Sequence, residues 1–407
     1  MSSATVTGTR LQAARERLAP VFARITANAL DHEQVDSRPY AETRELAEAG
    51  FGALRLPVEE GGSGLSVVEY FEVLIDLAAA DSNQPQLWRN HIAFVEDRLA
   101  GDTDRDRLWR QRIADGAVIG GAWSETGTAS ILGETRLDRV DGRLLLNGTK
   151  YYSTGSIYAD WLGVLALAED GELAIALVDA RSSGIELLDD WNGFGQRATG
   201  SGTTRLRDVE VDDAAVLPFT ERFVSQEAVY QLVLLAALAG IARAVRVDTV
   251  EAVIARSRSY PHGLAERPRD DAQIQQVVGR LAAHAAVAEA SVGRGAAAID
   301  AVLLAIEAGA DVQAAAQRAA VAVYEAQIAV TDAALQSSSL LFDALGSSGV
   351  QRTAALDRHW RNARTITSHN PRIYKERVIG DFYLNGGDPL SIYTPASAHE
   401  ARHEASE

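Results

Sequence analysis

Cysteine is absent from all 407 residues. That excludes disulfides, thiolate metal sites and a cysteine nucleophile in one step. Lysine is nearly absent too: it occurs only at Lys150 and Lys375, and arginine carries almost all the positive charge. Acidic residues outnumber basic ones, leaving a net charge of -17. A surface that acidic repels phosphate backbones, so nucleic acid is not an expected partner. Long apolar runs are also missing. The longest lies near Leu232–Ala242, too short to cross a bilayer. Arg10, Arg15 and Arg17 interrupt the apolar segment a secretory leader would need. The expectation is a cytoplasmic protein with no membrane and no metal partner.

What is present is ordinary globular composition, 47% hydrophobic and 23% charged. The chain is too long for one simple core, so two or three subdomains are expected. Residues 9–117 read as helices. Tyr40–Gly50 has helical spacing and ends on a glycine, and Val67, Tyr70, Phe71, Leu74, Leu77 and Ala78 fall on one face. The period changes near Val118. Asp141-Gly142 and Asp170-Gly171 are hairpin turns between alternating segments, so 118–220 reads as a small antiparallel β domain. Proline is absent from Arg269 through Asn370. The alanine-rich stretch Asp271–Ala308 predicts one helix of roughly 50–60 Å, stopped at Gly309 and restarted at Asp311. Residues 221–392 therefore read as a helical bundle, and 393–407 as a disordered tail.

Four segments carry chemistry. The first is Gly121-Ala-Trp-Ser-Glu-Thr-Gly-Thr-Ala-Ser130. By composition alone it is an ordinary Gly/Ser/Thr loop. The second is Leu146-Asn-Gly-Thr-Lys-Tyr-Tyr-Ser-Thr-Gly-Ser156, in which Asn147-Gly148 is also a plain turn signal. The third is Gly193-Phe-Gly-Gln-Arg-Ala-Thr-Gly-Ser-Gly-Thr-Thr204. The fourth combines Arg256-Ser-Arg258 with Gly346-Ser347-Ser348-Gly349.

In this order the segments resemble the flavin-binding stretches of the acyl-CoA dehydrogenase superfamily, over about residues 9–390. The resemblance implies an α+β fold with an N-terminal helical domain, a central antiparallel β domain and a C-terminal four-helix bundle. It places Trp123, Ser124, Thr126, Gly127, Ser130, Tyr152, Ser153, Thr154 and Gly155 at a flavin. Arg258, in preference to Arg256, and Ser347 and Ser348 would hold its phosphate. Family members are usually tetramers, so a homotetramer is implied as well.

The glutamate that removes the α-proton in acyl-CoA dehydrogenases is missing from both of its family positions. Tyr230 stands at one, with Glu227 the nearest displaced candidate. The stretch Asp357–Lys375, with Ser368-His369, instead resembles the flavin-dependent monooxygenase branch, that of dibenzothiophene monooxygenase and the sulfur-acquisition oxidoreductases. There a separate reductase supplies reduced FMN, which reacts with O₂ to a C4a-hydroperoxyflavin that oxygenates a small apolar, sulfur or nitrogen compound. His369 is the candidate catalytic group, with His91 and Ser156 next; His359 reads as structural. A histidine suits the work as donor or proton shuttle. Trp88, Phe94, Trp123, Trp191 and Tyr230 are the candidate pocket walls. An FAD-dependent dehydrogenase with a displaced base, a nucleotide-sugar N-hydroxylase and a flavin-free binding protein remain as alternatives, and FAD remains the alternative to FMN.

Overall fold

The computed structural model describes residues 3–125 and 133–390. The candidate flavin residues Thr126, Gly127 and Ser130, and the tail from residue 393, lie outside the described residues. Five helices come first: α1 (Ser3–Val35), α2 (Tyr40–Glu48), α3 (Val67–Ala80), α4 (Asn83–Ala100) and α5 (Asp104–Ala114). Local chemistry sets their ends. Ser66 and Glu69 form a capping box on α3. Gly50 takes the left-handed conformation just past α2.

The central sheet holds β1 (Ile119–Ala122), β2 (Arg136–Val140), β3 (Arg143–Lys150), β4 (Trp161–Ala168), β5 (Leu173–Asp179), β6 (Ile185–Leu187), β7 (Thr204–Val211) and β8 (Val216–Pro218). Its order is β6-β7-β3-β2-β4-β5-β8, with β1 paired to β4. Asp141 and Gly142 both have positive φ, as a tight β2–β3 hairpin requires. The sheet corrects the wholly antiparallel expectation: β4 pairs in parallel with both β1 and β2. Parallel neighbours need a crossover, and no turn dipeptide announces one.

The third layer is helical: α6 (Gln226–Ala255), α7 (Ala272–Glu307), α8 (Val312–Leu345), α9 (Asp357–His369) and α10 (Arg372–Asn385). Asp271 and Asp311 cap α7 and α8 through their side chains. Three long helices carry this layer, and α9 and α10 pack on α8. By length and apolar composition α6 could cross a membrane, but 94% of its most apolar window is buried within the fold. It is the core helix on which α3, α4, α7 and α8 all pack. Burying apolar side chains all round is what stabilises such a helix.

Candidate functional site

The site lies where the sheet meets α4, α6 and the end of α9. A cavity of about 510 Å³ is lined there by Ser124, Glu125, Tyr152, Thr154, Trp191, Gln196 and His369 among others. A smaller chamber of about 130 Å³ adjoins it, lined by Arg89, Asn90, Gly121, Trp123, Glu227 and Tyr230. Ser124, Tyr152, Thr154 and His369 stand on the wall common to both.

The sheet side is held by polar groups that bond one another. Tyr151 N–H donates to the Ser124 carbonyl at 2.9 Å. The Thr154 hydroxyl lies 2.8 Å from that of Ser201, which is 2.7 Å from that of Thr199. Asn90 of α4 donates to the Thr154 carbonyl at 2.9 Å. Trp191 meets Tyr152 edge-on at 5.6 Å between ring centroids. At Gly155 φ is +80°, and a Cβ would stand 2.3 Å from the Leu87 carbonyl, so this turn closes against α4 only with glycine.

Glu125 and Lys150 form an ion pair of 2.6 Å under the same wall, Lys150 buried and Glu125 partly so. Burial alone would raise the Glu125 pKa; bonds from Lys150, the Glu134 N–H and Thr135 outweigh it and hold it at about 2. Burial also pulls the Lys150 ammonium down, more than Glu125 lifts it. The asymmetry follows from the extra donors that only the carboxylate receives. Lys150 also donates to the Trp123 carbonyl, so the pair fixes the chain on both sides of Ser124. Glu125 is therefore an anchored carboxylate and no base.

His369 is the last residue of α9, and its ring faces the cavity. Arg89 Nη1 donates to its Nε2 at 3.0 Å. An arginine cannot accept, so the neutral ring carries its proton on Nδ1. Lost solvation and then the Arg89 charge push its pKa down, to about 3, against a bond with the Asn370 side chain. The residue remains exposed through the cavity mouth, and the imidazole is neutral at pH 7. The corner after it is pinned from the bundle. Asn370 donates to Gln231 of α6 at 2.8 Å, and its carbonyl accepts from Gln327 of α8 at 2.6 Å. Arg89 is itself seated on Tyr230, bonding its carbonyl and lying 4.7 Å from its ring centre.

Several expected site residues stand elsewhere. His91 is a strut: it is 1% exposed. Its Nε2 donates to the Gly52 carbonyl at 3.0 Å and its Nδ1 accepts from Ile119 N–H at 3.2 Å. With both nitrogens used, it faces neither cavity. Ser156 is buried and donates to the Gly121 carbonyl. Ser153 is buried beside Thr154 and does not line the cavity. Trp88 is fully buried, edge-on to Phe51, so it is core and not pocket wall. Phe94 packs edge-on against Trp109 and reaches only a void of about 30 Å³ behind Trp123 and Tyr230. His359 bonds Asp248 at 2.7 Å, which is structural work.

Arg258 and the serine pair sit at the far end of α6. From Tyr230 to Arg256 the helix runs about 39 Å, so Arg258, Ser347 and Ser348 do not reach the cavity of their own chain. They are near one another, because Arg256 bonds the Ala344 and Leu345 carbonyls at the end of α8. That bond caps α8 and leaves Arg258 exposed. Sequence reasoning missed Gln86, Arg89, Asn90, Thr365, Ser368 and Asn370 as wall residues. Only Asn370, next to Pro371 and so held extended, carried a local signal.

Sheet, bundle and cavity together define a class, and the comparisons agree with it. The acyl-CoA dehydrogenase N-terminal, middle and C-terminal domain models match residues 9–116, 121–209 and 232–371. The chain belongs to the acyl-CoA dehydrogenase family. Within it, the chain is 27% identical to dibenzothiophene monooxygenase of Rhodococcus erythropolis, over 90% of this chain and 92% of that one. It is also 27% identical to the probable FMNH2-dependent monooxygenase SfnC of Pseudomonas putida, over 94% and 96%. Its structure matches TdsC of Paenibacillus sp. A11-2, in complex with FMN and indole, with a TM-score of 0.85 and 26% identity. That match covers 92% of this chain and 98% of TdsC.

Proposed function

We propose that the protein is the oxygenase component of a two-component FMN-dependent monooxygenase. One atom of O₂ is added to the sulfur or nitrogen of a small substrate, and the other leaves as water. Reduced FMN, arriving from a separate flavin reductase, would supply the two electrons and the ring at which O₂ is activated. The observation that carries the reading is the joining of Ser124, Tyr152 and Thr154 with His369 around one cavity, whose one carboxylate among the described residues, Glu125, is tied to Lys150.

The cavity fits a flavin. Gln86 and Gln196 line it with buried side-chain oxygens that have no hydrogen-bond partner among the described residues, as a hydrogen-bonding heterocycle would need. Tyr152 and Trp191 offer an aromatic wall. Among the described residues neither Arg nor Lys lines it, so the phosphate must meet its cation elsewhere. Arg258, Ser347 and Ser348, remote in their own chain, would serve a neighbouring copy, which supports a homotetramer. A cytoplasmic location is part of the same reading.

In the reaction, Ser124 and Thr154 orient the ring and the walls exclude water. His369, neutral with its proton on Nδ1, holds or passes a proton at the reacting face. Arg89 fixes its tautomer, and Gln231 with Gln327 fixes its position. Purified protein given chemically reduced FMN and O₂ should convert methyl phenyl sulfide to its sulfoxide. A flavin oxidised without product at any protein concentration would remove the reading.

One observation favours a second reading. Glu227 lines the small chamber, 3.3 Å from Arg222, where a displaced dehydrogenase base could act. That reading predicts bleaching of bound oxidised flavin by an acyl-CoA alone, which the oxygenase reading does not.

A further inference from the structure

Resting on the oxygenase reading, we propose that the 130 Å³ chamber beside His369 seats the substrate. It would admit a neutral single-ring or acyclic sulfide or amine of up to about ten non-hydrogen atoms, with Trp123 and Tyr230 setting that limit.

The chamber shares His369, Tyr152 and Thr154 with the flavin-sized cavity, so a molecule in it lies against the proposed reacting face. Its far wall is rigid. Trp123 meets Tyr230 edge-on at 5.7 Å and Phe219 at 5.8 Å. Arg89 covers the Tyr230 ring and Arg222 covers Trp123. Asn90 closes the floor by packing directly on Gly121, where a Cβ would stand 2.6 Å from its side chain.

Size then decides. About 150 Å³ holds one benzene ring; a chamber of 130 Å³ takes one ring and refuses three, with Asn90, Ser124 and Thr154 as the polar side of its wall and Trp123 and Tyr230 as the aromatic side. Charge narrows the class further. Arg89 and Glu227 stand on the same wall with opposite signs, so neither an anion nor a cation gains a one-sided attraction. Behind Trp123 and Tyr230 lies the 30 Å³ void, which shares Asn90 and Gly121 with the chamber. Removing either ring would join the two spaces.

The test is calorimetric binding of methyl phenyl sulfide and of dibenzothiophene to the protein loaded with oxidised FMN. The native chain should prefer the one-ring sulfide by at least about 30-fold, and Tyr230→Ala should erase or reverse that preference. Trp123→Leu makes the same test where Tyr230→Ala does not fold, with the melting temperature and far-ultraviolet circular dichroism as the check on folding. Equal or tighter binding of dibenzothiophene by the native chain overturns the proposal. So does a failure of both sulfides to bind, or a preference unchanged in the variants. Selective binding with no sulfoxide formed under reduced FMN and O₂ would refute the oxygenase reading alone. Sulfoxidation of dibenzothiophene at the rate of the one-ring sulfide would refute the size limit alone.

Discussion

The junction of α4 with β1 and the corner between α9 and α10 each hold one histidine kept neutral by its surroundings, one enclosed and one on a cavity wall. At the junction, burial lowers the His91 pKa to about 4, and both ring nitrogens are bonded to backbone. At the corner, lost solvation and Arg89 lower that of His369 to about 3, yet the ring opens onto a cavity. A depressed pKa therefore does not mark a working histidine by itself. What separates them is access: His91 is enclosed between two backbone partners, whereas His369 lines the cavity wall, and that depends on partners far away in sequence.

This contrast can be broken at either end. The largest expected effect is at the corner. His369→Ala should lower the rate of oxygenation by about 10²–10³-fold, the usual worth of a positioned acid or base. FMN affinity and melting temperature should stay near native values; calorimetry and product assays check both.

Next comes acid stability, which belongs to the junction. The folded His91 pKa lies below its unfolded value of 6.5. Its neutral form is favoured by folding, so its contribution is complete above pH 6.5 and is lost as pH falls toward 4. The difference amounts to about 3 kcal/mol. Denaturant melts at pH 7.5 and 4.5 should show that loss in the native chain and much less of it in His91→Gln.

At neutral pH the same His91→Gln variant should lose about 2 kcal/mol, because one of two buried backbone groups loses its partner. Its oxygenation rate per folded molecule should not change. A rate loss there without a stability loss would erase the contrast.

The smallest effect concerns support. Gln231→Met should strip Asn370 of its acceptor, a bond worth about 1 kcal/mol. The rate should fall by about five-fold, with more O₂ lost to hydrogen peroxide and no change in FMN affinity. An unchanged coupling ratio would mean that the α9–α10 corner holds His369 without help from α6.

Much of the fold was legible because its signals are local. Asp271 and Asp311 announce helix starts, and Asp141-Gly142 announces a hairpin. The parallel pairing of β4 with β1 and β2 left no such mark. The site was legible where the resemblance quoted contiguous segments, which brought Tyr152, Thr154 and His369 to the cavity wall. It failed where a side chain's direction decides. Trp88 and His91 share a helix with Arg89 and Asn90, and one turn sends the first two into the core and the others to the chamber. Arg89 and His369 are 280 residues apart, and no periodicity joins them. The length of α6 carries Arg258 out of reach of its own cavity, so its part at a phosphate belongs to the proposed neighbouring copy, which no pattern within one chain displays.

The central claim is that this cavity uses reduced FMN and O₂ to oxygenate a small heteroatom compound, with His369 at the reacting face. The most direct measurement is a single turnover of the purified protein with chemically reduced FMN, methyl phenyl sulfide and ¹⁸O-labelled O₂, followed by mass spectrometry of the sulfoxide. One labelled oxygen in the product, largely lost in His369→Ala, is the predicted result. No labelled sulfoxide, together with bleaching of bound oxidised flavin by an acyl-CoA alone, would contradict it.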